Sequence, residues 1–140
     1  MRVRQRYSLF VVVAVLAVLG TTLAVHAASA GATLKIGPTA TLANPPQSVI
    51  VAVDYSCMPS AFTFGQVSVD QSQPGTAASP GRVDVQGFGS FQPTCDDKTH
   101  HASVIVTAFN GSFIQGSAGA SAFVFSGAVF AQASNEISIR

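Results

Sequence analysis

The chain has 140 residues, and only 9% of them are charged against 48% apolar, which excludes a charge-rich disordered chain. Its formal net charge of +1 is local: three of the seven basic residues are Arg2, Arg4 and Arg6. Without them four bases (Lys35, Arg82, Lys98, Arg140) face six acids, a net −2. A weakly acidic domain with no basic patch has no electrostatic basis for holding nucleic acid.

The arginines are followed by an unbroken apolar run, Leu9 to Leu19, that fades through Gly20, Thr21 and Thr22 into Leu23-Ala24-Val25. Small residues come next, Ala27-Ala28-Ser29-Ala30-Gly31. A positive start, an apolar stretch and an A-x-A site (Ala28-Ser29-Ala30) form a helical secretory signal peptide over residues 1–30, cut after Ala30. Cleavage after Ala27 is the alternative. If the leader stays uncut, its apolar stretch is the chain's one membrane attachment. No cysteine closely follows that stretch, and the arginines are not paired, so neither a lipoprotein anchor nor a twin-arginine route is expected.

Residues 31–140 suit one domain. Cys57 and Cys95 are its only cysteines, 38 positions apart. In an exported chain such a pair is expected to form a disulfide, worth roughly 3–4 kcal/mol on a chain-entropy estimate. A metal pair or two free thiols, the rival readings, would want closer spacing or a reducing compartment.

Along this domain the dominant pattern is alternation, which marks half-buried strands. Residues 32–36 make a first strand, ended by Gly37-Pro38; residues 39–42 continue it before Asn44-Pro45-Pro46. From Ser48 to Cys57, Val49, Val51, Val53, Tyr55 and Cys57 share one face, so Cys57 points into the core. Residues 62–71 form a third strand, and the Pro/Gly-rich segment 72–81 is a surface loop. Residues 82–86 alternate again and lead through Gly87-Phe88-Gly89 to Cys95. The β-branched strand 102–109 meets Asn110-Gly111, a type I′ hairpin signal, with residues 112–114 as its partner. Strands at 119–126 and 129–139 complete an all-β domain of seven or eight strands, with nine phenylalanines and no tryptophan to supply its bulky core.

Particular segments carry a resemblance: Asp54-Tyr55-Ser56-Cys57, Gly87-Phe88-Gly89, Thr94-Cys95-Asp96-Asp97, the strand from His100 to Thr107, Phe113-Ile114-Gln115-Gly116 and residues 134–139. In these the chain resembles small exported bacterial domains with an immunoglobulin-like fold and no assigned function. The resemblance implies an immunoglobulin-like antiparallel β-sandwich held by two cysteines outside the cytoplasm, and it transfers no catalytic residue. Unlike antibody domains, the chain has no tryptophan between its cysteines, and Cys95 lies in a loop context. The bridge is therefore expected to tie a strand end to a loop.

Asp96, Asp97, His100 and His101 are the densest polar cluster. Carboxylate and imidazole together suit a divalent metal or acid/base work. Adjacent histidines at a strand start point to opposite faces, however, so at most one can join Asp97, and no metal, cofactor or catalytic residue is expected. There is no G-x-S-x-G motif. Asn110-Gly111-Ser112 fits a glycosylation acceptor but is read as a turn. Phe123, Phe125 and Phe130 are either core or an exposed patch, with core the expectation. The resulting expectation is a secreted, non-enzymatic module that binds another protein or a surface; the alternative is a carrier of a small molecule or metal.

Overall fold

The computed structural model describes Ala27–Ala28 and residues 31–140; the rest of the expected signal peptide lies outside the described residues. The elements are β1 (Ala27–Ala28), β2 (Ala32–Leu42), β3 (Ser48–Cys57), β4 (Thr63–Pro74), β5 (Arg82–Phe91), β6 (His100–Ala108), β7 (Gly116–Ser126) and β8 (Val129–Ile139). Among the described residues the chain is all strand and turn, as the alternation predicts.

The immunoglobulin-like sandwich, expected from strand spacing and from the resemblance, does not form. The strands run in the order β8-β2-β3-β6-β5-β4-β7, and β7 pairs with β8 again. This closes a seven-stranded barrel, whereas a sandwich needs two sheets with free edges. The closing seam joins β8 to β2 in parallel, with Thr39 opposite Ser138 and Ala40 opposite Ile139. The Arg140 N–H donates to the Ala40 carbonyl (2.9 Å) and the Leu42 N–H to the Arg140 carbonyl (2.8 Å), extending the seam. Gly37-Pro38 does not end the first strand. It lies in an irregularity where the β2–β3 register shifts between Ile36 and Ala40, and there β2 turns toward β8.

Strand number sets the interior width, and about eight strands leave just enough room for side chains to fill. With seven, the inward positions here are taken mainly by valine, alanine and glycine. Val49, Val51, Val53, Val67, Val69, Val104, Val106 and Val124 are buried, as are Ala118, Ala120 and Ala122 on β7 and Ala131 and Ala133 on β8. The phenylalanines therefore do not build the core. Of the nine, only Phe113 is fully buried.

Phe113 seals one mouth of the barrel. It belongs to the segment from β6 to β7, which crosses that end and does not form the expected hairpin: residues 112–114, its expected second strand, form no strand, and the Phe113 N–H donates to the Pro46 carbonyl (2.9 Å). Gly111 has the positive φ of a turn, but Asn110 does not, so no type I′ turn forms. The buried Gln71 side chain holds the crossing. Its Nε2 donates to the Ile114 carbonyl (2.8 Å), and its Oε1 accepts from the Ile114 N–H (3.0 Å). Gln73 adds a donation to the Ser112 carbonyl (2.9 Å).

The tightest point of the wall is where β5 meets β6, with only Gly87–Ala108 and Phe88–Thr107 in register. Gly87 and Gly89 face inward there. A methyl group at Gly87 would come 2.6 Å from the Thr107 carbonyl oxygen, and one at Gly89 would collide with that of Ile105. Glycine lets the two backbones cross in contact. Gly89→Ala is expected to lower stability by about 3 kcal/mol or more, the upper end for overpacking. Gly119→Ala, whose nearest neighbour would be 3.8 Å away, is expected to stay within about 0.5 kcal/mol. Urea unfolding of both variants checks this; equal losses would contradict the crossing.

Candidate functional site

The other mouth carries the polar cluster. Cys57, at the end of β3, is bridged to Cys95 in the β5–β6 loop with a Cα–Cα separation of 4.7 Å. The bridge joins a strand end to a loop, as the loop context of Cys95 predicts. The Asp97 N–H donates to the Cys57 carbonyl (3.0 Å), and the Thr94 N–H donates to the Tyr55 hydroxyl (2.9 Å). Tyr55 is thus a core residue with a satisfied hydroxyl. Phe91 packs against it at 5.4 Å, His100 at 5.8 Å, and the loop places buried Pro93 nearby. Such a bridge is compatible with a location outside the cytoplasm.

Asp96, Asp97, His100 and His101 do not converge. His100 Nε2 donates to Asp96 Oδ1 at 2.6 Å, while His101, on the opposite face of β6, pairs with Asp54 of β3. Asp97 takes a positive φ of 62° in the turn. Among the described residues no three His, Cys, Asp or Glu side chains are placed to share a metal ion. Asp96 accepts a second bond from the Lys98 N–H (3.1 Å), so the loop is a strut that holds the bridged segment.

Asn110 likewise serves the fold. Its Oδ1 accepts from the Gln86 N–H (2.7 Å) and its Nδ2 donates to the Asp84 carbonyl (2.8 Å), lengthening the short β5–β6 ladder. The nitrogen that a glycan would use is already engaged.

The feature that stands out is on the outer wall. Phe62 lies just before β4, Phe64 on it, Phe123 and Phe125 on β7, and Phe130 on β8. Period-two geometry explains their side: on each strand they take the parity opposite to the inward valines and alanines. Phe62 is 64% exposed, Phe130 40% and Phe64 36%, while Phe123 and Phe125 are half-buried by their neighbours. The rings meet in two groups: Phe62 with Phe125 at 5.7 Å, and Phe123 with Phe64 at 5.9 Å and with Phe130 at 6.0 Å. Beside them Gln66, Ser68, Ser121 and Gln132 help to line a dimple of roughly 40 Å³, where the Ser68 and Ser121 hydroxyls share a 2.8 Å hydrogen bond. The expectation that Phe123, Phe125 and Phe130 belong to the core is corrected by this placement. A smaller pair, Phe88 and Phe109 at 6.1 Å, lies on the β5–β6 side.

No protein-family model, curated protein or solved structure matches the chain.

The hydrogen bond from His100, aided by that from the Lys98 N–H, holds the Asp96 carboxyl below its ordinary value of 3.8. A carboxyl depressed on folding contributes stability above its unfolded pKa and loses it as pH falls through the folded value. Asp96→Asn is expected to flatten the decline of stability below about pH 4. Thermal unfolding across pH 2–7 in both proteins tests this, and an unaltered acid limb would contradict the strut.

Proposed function

We propose that the domain is an exported, non-enzymatic module that binds another protein through the outer wall of its barrel. The observation that carries this reading is the cluster of five phenylalanine rings on the outside of β4, β7 and β8. Rings excluded from the core and left in water cost free energy that a partner surface recovers, and aromatic side chains are the usual anchors of such interfaces. The wall next to them is neutral and polar, in the manner of an interface rim. The carrier reading finds less support, because the interior is occupied by valine and alanine side chains. Phe113 closes one mouth, and the loop of residues 92–99 lies over the other. The bridged loop, with its pairs Asp96–His100 and Asp54–His101, supports the fold instead of presenting reactive groups.

Phe62, Phe64 and Phe130 are exposed enough to change without loss of folding. The combined variant Phe62→Ser, Phe64→Ser, Phe130→Ser is expected to keep its strand spectrum. It should lose at least about tenfold in affinity for proteins captured by the immobilised domain from the medium around the exporting cell. Capture of the same proteins with undiminished affinity would overturn the assignment to this wall.

A further inference from the structure

One stretch of the barrel wall is closed by residues that export is expected to remove. β8 pairs with β7 along its whole length, from Val129–Ser126 to Ile139–Gly116. On its other side the ladder among the described residues has two pieces. At the far end β2 supplies Thr39 and Ala40; nearer the start, Ala27 pairs with Gln132 and Ala28 with Ala131, antiparallel. β1 reaches this slot by reversing before β2, with Gly31 at a φ of 97°. Cleavage after Ala30 takes β1 away and leaves the rest of the wall in place. β2 keeps β3 from the Ala32–Cys57 pair onward, and β8 keeps β7.

The vacated slot exposes backbone donors and acceptors of β8 that β1 had satisfied. Unpaired strand edges recruit further strands, because main-chain hydrogen bonds are obligatory and sequence-tolerant. The slot is also continuous with the aromatic wall: Gln132 pairs with Phe123 across the β7–β8 ladder, and Phe130 pairs with Phe125. We propose that in the exported chain this slot takes an extended segment of a partner polypeptide, added antiparallel to β8 in the place of β1. The inference rests on the protein-binding reading above and on cleavage after Ala30. Alternation then sets a preference. The incoming residue opposite Ala131 turns toward the interior, beside Ala133, and must be small. The one opposite Gln132 turns outward beside the phenylalanines.

The test uses the exported protein, its N-terminus fixed by mass, and the peptide Ala-Val-His-Ala-Ala-Ser-Ala (residues 24–30) as probe. Within residues 129–135, the β8 amides that face the slot and not β7 are expected to exchange fast in the exported chain, while those bonded to β7 stay protected. Exchange of the slot-facing amides should slow by about tenfold at a peptide concentration of about ten times Kd. The same slowing is expected in the Phe62→Ser, Phe64→Ser variant, so loss of wall binding and loss of strand addition are read separately. Three results would overturn the proposal: an exported chain that still carries Ala27 and Ala28, slow exchange without the peptide, or exchange that the peptide leaves unchanged.

Discussion

Closing the sheet at the seam between β2 and β8 fixes how wide the interior can be, and the side chains of all seven strands answer to that width. A sandwich can be widened by moving its sheets apart, but a barrel of seven strands cannot. The inward positions of β7 and β8 are accordingly filled by Ala118, Ala120, Ala122, Ala131 and Ala133, with Val124, Ile137 and Ile139 nearer the ends. The same limit sends Phe62, Phe64, Phe88, Phe109 and Phe130 to the outside. The exposed aromatic wall is thus a consequence of closure, and so is the surface on which function is proposed.

Closure also creates two places where the wall is short of pairing, and the chain treats them differently. Between β5 and β6, glycine removes the steric obstacle, and the Asn110 side chain stands in for missing ladder bonds. At the upper part of the β2–β8 seam, pairing comes from β1, which the expected leader carries. The ends are closed by different means again. Phe113 sits under a glutamine clamp at one, and at the other a disulfide ties residues 92–99 to β3, reinforced by Tyr55 and the Asp96–His100 pair.

Strand positions were legible because alternation is a local property. Ser48–Cys57 and Val129–Ile139 are read from period two alone, and so is the inward aim of Cys57 and Tyr55. Whether those strands close into a barrel depends on which distant edges meet, and sandwich and barrel strands share the same period. The signal for closure was nonetheless present in side-chain size and parity. On β7 the even positions from 118 to 124 are alanine and valine, while Phe123 and Phe125 fall on odd ones; on β8 Phe130 is out of phase with Ala131 and Ala133. On β4 Phe64 is likewise out of phase with Val67 and Val69. The Asn110-Gly111 pair specifies only a local bend, while Gln71, far away in sequence and near in space, and the burial of Phe113 decide where the chain goes next. For the polar cluster, the expectation that His100 and His101 diverge followed from strand geometry alone. The pairing of His101 with Asp54 depended on the β3–β6 register, and that of His100 with Asp96 on the turn before β6.

The central claim is that a narrow closed barrel keeps phenylalanine out of its core. Fluorine NMR of residues 31–140 labelled with fluorophenylalanine, read through solvent isotope shifts and a soluble paramagnetic quencher, tests it directly. A barrel gives one fully shielded resonance, assigned to Phe113 by its loss in Phe113→Leu, with Phe62, Phe88 and Phe109 the most solvent-accessible. Shielding of most of the nine resonances would mean that the phenylalanines form a core between two sheets, and would contradict the closed barrel.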